Sequence, residues 1–474
     1  MKLYNALTKK VEDFKPSVAP EVRLYSCGPT VYDYPHIGNW RSFVFVDTLR
    51  RALESNSFSV KHVMNITDVG HLTSDADEGQ DKLEAGAERE GKSVWDVAKH
   101  YTDVFIQGAQ ALNLLSPNAY SGPIGPYARA TDFIAEQVNL IKLLMDKGFA
   151  YKIKQAIYFD VSKLPSYGEL SGQKLTDKAV GAREDVVTDA KKRNPQDFAL
   201  WFFRVGRFAD HEMRWPSPWG EGFPGWHLEC SAIAHATLGD PLDIHTGGVD
   251  HIGTHHPNEM AQTEAAFGHR LANFWLHNEF VLVDGQKMSK SLGNFITLDS
   301  VVKKDYDPLA LRLLFLQAHY RSQLNFTWEA LSAAQNFLKR LQAWADLKFQ
   351  PNLGHKKKAA DVYKPLLDKI VSEIQDDLNT PQALSELSKL SELSEHEGVD
   401  SEKIQPLLEG VDKIFGLKLA SRKDVNQSIK EWISQRQKAR DSQDWSRADK
   451  LRQQLMKHGI GINDTPHGPV WSRI

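Results

Sequence analysis

Cysteine is scarce in this chain: two residues in 474, at positions 27 and 230. Two thiols roughly 200 residues apart build no disulfide framework, so a cystine-stapled secreted scaffold is excluded and a reducing compartment, the cytoplasm, is expected. Long apolar runs are missing too. The opening residues, MKLYNALTKKVEDF, carry charges where a secretory signal needs a hydrophobic core, and no later stretch could span a bilayer. No membrane role is expected. Nor is there an internal repeat, which argues against a solenoid.

What is present is ordinary in amount and uneven in placement. Charged residues make up 25% and hydrophobic ones 41%, the balance of a globular protein with sizeable cores, and 474 residues suit two to four domains. The net charge of −3 is not spread evenly. Residues 421–474 hold eleven Lys or Arg against six Asp or Glu, which leaves −8 on the first 420. A basic tail on an acidic body points to nucleic acid at one end, with a solvated helix face as the competing reading.

Periodicity supplies the organisation. Val22–Ser26 is a β-prone run ending at Cys27-Gly28-Pro29-Thr30; helical spacing starts at Ile37; SVKHVMNI (59–66) is a second strand, ending at Thr67-Asp68. Strand, loop, helix, strand opens an α/β domain with a parallel sheet, whose ligands gather at the carboxyl ends of the strands. Cys27, His36 and Thr67 fall there. The expected divisions are a Rossmann-type catalytic half (1–114), an insertion (115–200), a second catalytic half (201–325), a helical bundle (326–416) and a small C-terminal α/β domain (421–474). The insertion should contain a helix near 127–148 and a strand in AIYFDV (156–161). The tail should contain two helices (about 426–440 and 443–457) and a closing β element.

Two short motifs carry phosphate chemistry. HIGN at 36–39 lies where a loop meets a helix N-terminus, whose free N–H groups and dipole favour an anion. His36 can donate to a phosphate there, and Gly38 lets an adenine ring approach the backbone; a plain capping role is the alternative. KMSKS at 287–291 follows a strand candidate and the turn Asp284-Gly285. Lys287 and Lys290 on such a loop can neutralise charge building on departing pyrophosphate. HIGN followed by KMSKS resembles the signature of class I aminoacyl-tRNA synthetases.

A third constellation involves both cysteines. Cys230 lies in GWHLEC, and His255 and Glu259 are four apart in HHPNE, on one face if that segment is helical. Cys27, Cys230, His255 and Glu259 offer two sulfurs, a nitrogen and an oxygen, a set suited to Zn²⁺. Two buried cysteines beside ordinary histidines are the equal alternative from spacing alone.

CGPTVYDYPHIGNWRS, GWHLECSA, HTGGVD with HHPNE, and KMSKSLGNF together resemble the blocks of cysteinyl-tRNA synthetases, and the likeness runs over almost the whole chain. The resemblance implies zinc on Cys27, Cys230, His255 and Glu259, with His256 the rival to His255. It implies cysteine activation by ATP, with Mg²⁺, and transfer to tRNA(Cys). His36 and Asn39 should contact the nucleotide phosphates, and Lys287 and Lys290 the pyrophosphate. Thr67 and Trp226 should lie near L-cysteine, and His245 and Asp250 near the adenylate. The basic tail should read the anticodon, with Trp471 either stacking on a base or packed in a core.

The chain departs from the family pattern at Gly253-Thr254 and Pro257 around the HH pair, and at TDVGHLT where the family reads TDIDDKI. The cysteine ligase of mycothiol synthesis resembles the same family but lacks an extended RNA-binding tail. A non-catalytic nucleic-acid-binding protein with structural zinc would have no use for an intact HIGN and KMSKS. The insertion of 86 residues (115–200) shows no obvious hydrolytic motif, so rejection of serine is expected to rest on the metal.

Overall fold

The computed structural model describes residues 1–74, 78–172, 192–289, 292–350, 360–397, 401–465 and 468–474. Two compact units divide these residues: Met1–Val301 with Tyr320–Asn325, and Val302–His319 with Phe326–Ile474.

The first unit is built on a five-stranded, wholly parallel sheet: β1 (Glu21–Ser26), β2 (Ser59–Ile66), β3 (Ala128–Arg129), β4 (Leu242–Gly248) and β5 (Ala272–Asn278). Their spatial order is 3-2-1-4-5, the doubly wound arrangement of nucleotide-binding folds. The order reverses between β1 and β4, where Ile244 pairs with Leu24 and Thr246 with Ser26. Strands covered on both faces are expected to be apolar throughout, and Tyr25, Val63, Leu242 and Trp275 form one core with residues of the crossover helices.

Three helices bring side chains to the carboxyl edge: α1 (Ile37–Ser55), α2 (Trp226–Leu238) and α3 (His255–Phe267). α1 begins with a reciprocal cap. Asn39 N donates to His36 Nδ1 at 3.1 Å and His36 N donates to Asn39 Oδ1 at 3.0 Å. α3 begins directly at the HH pair, with Pro257 in its first turn, where a missing N–H costs no intrahelical bond. That accounts for the tolerance of Pro257.

Residues 130–133 form a single 3₁₀ turn that leads into a helix at Ile134–Asp146, the helix expected near 127–148. An antiparallel sheet of four strands follows, in the order Gly222–Pro224, Phe198–Phe203, Ala156–Phe159, Ala150–Lys152. Its last strand lies beyond residue 200, the expected end of the insertion. Further on, Val281–Val283 and Gln286–Lys287 form a hairpin whose two turn residues, Asp284 and Gly285, both have positive φ.

The second unit is helical from Pro308–Leu316 through Ser401–Phe415. It ends in two helices, Gln427–Asp441 and Trp445–Lys457, and a hairpin of Ile460–Thr465 with Gly468–Arg473. Trp471 is only 4% exposed and packs with Val425, Ile429, Leu455 and Ile462. Of its two readings, core packing is the one realised. The anchor beneath this hairpin is Asp346, a buried carboxylate that receives Arg422 in a bidentate pair at 2.8 Å and Arg473 at 2.6–2.7 Å.

Candidate functional site

The site lies where the strand order reverses. Cys27 leaves β1 with its N–H on Thr246 O of β4 at 3.2 Å, and Gly28 N donates to Asn65 Oδ1 at 2.7 Å. A Cβ on Gly28 would stand 1.7 Å from Asn65 O, so only glycine lets the chain turn here. Gly247 serves likewise at the end of β4: a Cβ there would fall within 2.8 Å of the His251 and His256 rings.

Four ligand atoms converge on this point from distant segments. Those of Cys27, Cys230, His255 and Glu259 all lie within 4.8 Å of one another. The i, i+4 spacing on α3 sets His255 Nε2 3.0 Å from Glu259 Oε1. A second grouping, Cys27, His245, His256 and Glu259, meets the same limit. The two differ in access. Cys27, Cys230 and His255 line a cavity of about 280 Å³, whereas His245 and His256 do not reach it. A metal meant to receive a ligand from that cavity therefore fits the first set, and His255 is favoured over His256.

The metal-free electrostatics suit a divalent ion. Burial opposes ionisation of the Cys27 thiol, but its hydrogen bond with Cys230 and the His255 and His256 imidazoles hold it well below the usual thiol range. Burial and the neighbouring Cys27 push the Cys230 thiol well up. Burial disfavours charge on His255 too, yet Glu259 and Cys27 raise it well above the usual imidazole range. Metal binding would displace protons from Cys230 and His255, the ordinary exchange at thiolate–imidazole sites.

Around the ligands sits a polar shell that sequence reasoning missed. His227 Nδ1 lies 2.9 Å from His255 Nδ1, His256 Nε2 lies 3.4 Å from Cys27 Sγ, and His277 Nε2 lies 2.8 Å from His256 Nδ1. His245 belongs to this shell and not, as expected, to the nucleotide side. It is 0% exposed, holds Glu259 Oε2 at 2.8 Å and stacks on Trp275. Its position in the middle of a central strand buries it, which the HTGG motif alone does not reveal.

Thr67 and Trp226 line the same cavity as Cys27. Trp226 stacks on His71 at 4.0 Å and on His255 at 4.4 Å between ring centroids. His71, from the divergent TDVGHLT block, is pinned by Thr30 Oγ1 at 2.8 Å and Lys82 Nζ at 2.6 Å. It is a wall of the cavity and not a member of either ligand set. Asp68 turns away to Thr131, accepting from its N at 3.0 Å and its Oγ1 at 2.6 Å, and burial pushes its carboxyl up to about 6.

An adjoining cavity of about 400 Å³ shares Cys27, His36, Asn39, Asp250 and His251, and adds Gly38, Gly247, Gly248 and Lys287. His36 Nδ1 accepts from Asn39 N, so the proton of the neutral ring resides on Nε2; burial lowers the basicity of His36 and keeps it neutral. Gly38 first makes room for the His36 ring itself, since a Cβ there would stand 2.9 Å from it. Asn294 clips the lysine loop by accepting from Ser289 N at 2.8 Å and donating to Lys287 O at 3.2 Å. Lys290 lies outside the described residues.

Comparison with known proteins follows the same lines. Residues 13–336 match the family described as tRNA synthetases class I (C) catalytic domain. The chain is 42% identical to cysteine–tRNA ligase 1 of Burkholderia lata, over 98% of this chain and 95% of that one. It is 40% identical to the cysteine–tRNA ligase of Treponema denticola over the full length of both. The chain belongs to the cysteine–tRNA ligase family. As a cysteine–tRNA ligase family member it is a ligase of the aminoacyl-tRNA synthetase type. Its fold is shared with methionyl-tRNA synthetase of Mycobacterium tuberculosis, solved with methionyl-adenylate, at 13% identity and a TM-score of 0.61 over 85% of this chain and 92% of that one. Among the described residues no helix is long and apolar enough to cross a membrane.

Proposed function

We propose that the two adjoining cavities are the amino-acid and nucleotide halves of a cysteine-activation site. The carboxylate of L-cysteine attacks the α-phosphorus of ATP, brought as its Mg²⁺ complex, to give cysteinyl-AMP and pyrophosphate. The terminal ribose of tRNA(Cys) then takes the cysteine. Cys27, Cys230, His255 and Glu259 would hold zinc, which when bound supplies a soft Lewis acid able to take the substrate thiol as thiolate.

The chain's own groups do the remaining work. His36 presents Nε2–H at the start of α1, so it donates to a phosphate oxygen without adding charge to the ground state. Asn39 keeps His36 in that tautomer through its backbone N–H. Lys287, exposed on the hairpin beside the nucleotide cavity, and Lys290 offset charge on the leaving pyrophosphate. Asp250, on the wall of the nucleotide cavity, would accept from the nucleotide. Trp226 walls the cysteine side chain, and Thr67 receives the substrate's amino group.

The second unit is proposed to hold the tRNA. Trp445, 55% exposed with the Arg440 guanidinium 5.6 Å from its ring centroid, replaces Trp471 as the stacking residue. Two free cysteines and the need for tRNA suit work in the cytoplasm.

The observation that carries this reading is that Cys27, Cys230 and His255 face a cavity shared with His36 and Asn39. Cysteine-dependent exchange of pyrophosphate into ATP, measured beside zinc content, tests it. A zinc-loaded chain with no such exchange would overturn it.

A further inference from the structure

The floor of the amino-acid cavity contains a hydrogen-bond network whose direction follows from the backbone N–H of Gly28. Gly28 N–H must donate, so Asn65 Oδ1 accepts at 2.7 Å and the amide nitrogen of Asn65 points the other way. That nitrogen donates to Thr67 Oγ1 at 3.0 Å and to Glu229 Oε1 at 3.3 Å. The Thr67 hydroxyl in turn donates to Glu229 Oε1. Glu229 is 2% exposed, lies behind Thr67 and does not line the cavity, and its Oε2 has no hydrogen-bond partner.

A hydroxyl has one proton and two lone pairs. At Thr67 the proton is committed to Glu229 and one lone pair to Asn65. Toward the cavity the hydroxyl can only accept. The α-ammonium of an amino acid has three N–H donors and no acceptor, so it complements such a group, whereas a carboxylate or phosphate oxygen does not.

We propose that Glu229 is the positioning residue for amino-group recognition. By accepting the hydrogen bond of the Thr67 hydroxyl, it fixes that hydroxyl as an acceptor for the substrate ammonium and so selects α-amino acids over thiol acids that lack the nitrogen. The inference rests on the reading of this cavity as a cysteine-activation site. It depends on hydrogen-bond direction and on the path from Gly28 to Glu229, and Glu229 itself never touches the substrate.

The test compares two ligands in the zinc-loaded, full-length enzyme: cysteine as substrate in pyrophosphate exchange, and 3-mercaptopropionate as competitive inhibitor. The inhibitor keeps thiol and carboxylate and lacks the ammonium. Freed from Glu229, the Thr67 proton can turn toward the ammonium. Hydrogen bonds to charged groups are worth about 1.5–3 kcal/mol, so Glu229→Ala should raise the cysteine KM about tenfold or more. The inhibition constant of 3-mercaptopropionate should move by less than about threefold. In a Thr67→Val background the same change should add less than about twofold, because the two residues act as one unit.

Parallel weakening of both ligands, or additive effects with Thr67→Val, would overturn the proposal and leave Glu229 a packing residue. If Glu229→Ala is not recovered folded with normal zinc content, Glu229→Met serves: it fills a similar volume and offers no oxygen to accept from Thr67, so the same split between ligands is required of it. Failure of the wild-type chain to activate cysteine would instead defeat the functional reading, so the two failures are distinguishable.

Discussion

Replacing His255 and His256 one at a time by alanine separates the two ligand sets that the geometry allows. Apparent binding energies of four-ligand zinc sites near neutral pH run to about 10–16 kcal/mol, so an equal share is about 3 kcal/mol per ligand. That is roughly a hundredfold in Kd. His255→Ala should lose at least this much, because it also removes a stacking partner of Trp226. His256→Ala removes a neighbour of Cys27 at 3.4 Å and the partner of His277, a supporting role worth about tenfold. The assay is zinc retention against a chelator of known affinity, read beside cysteine-dependent pyrophosphate exchange. If His256→Ala strips the metal while His255→Ala keeps it, ligation belongs to Cys27, His245, His256 and Glu259, and the access argument is wrong.

Lys287→Ala should slow pyrophosphate exchange by roughly a hundredfold with little change in cysteine KM, since its charge acts on the leaving group; a normal rate with a raised KM would count against that role. Trp445→Ala should leave cysteine activation intact and lower the rate of tRNA charging, and equal charging by variant and wild type would remove Trp445 from the RNA surface. Asp346→Ala leaves Arg422 and Arg473 without their buried carboxylate and should cost about 3–5 kcal/mol, measured as a fall in the urea midpoint of the second unit. Serine should support negligible exchange, and seryl-tRNA supplied to the enzyme should persist; rapid enzyme-dependent deacylation would place selectivity in editing and not in the metal.

Much of this site was legible because its chemistry is local in sequence. The helix beginning at HIGN, the strand 59–66, the Asp284-Gly285 turn and the i, i+4 pair His255 and Glu259 each follow from patterns a few residues long, and each appears where the pattern puts it. The supporting shell was not legible, because it depends on which side of a strand or helix a residue meets. The family resemblance puts His245 near the adenylate, and the pairing of β4 between β1 and β5 buries it behind Glu259. His71 reads as a departure from a family block, and its role as a ring on Trp226 needs residues 71 and 226 to be neighbours. Trp471 and Trp445 are alike in a basic tail until the hairpin Ile460–Arg473 closes over one and leaves the other in solvent.

The placement of the ligands along the chain has a mechanical consequence. Cys27 comes from the first half of the sheet, and Cys230, His255 and Glu259 from the second, with the whole insertion between them. An ion held by all four is a cross-link that closes a loop of roughly 200 residues at the point where strand order reverses. With zinc held there as proposed, recognition of the substrate's sulfur and one tie between the two sheet halves would fall to the same four atoms. Losing the metal would remove one tie across a seam that the β1–β4 ladder also holds.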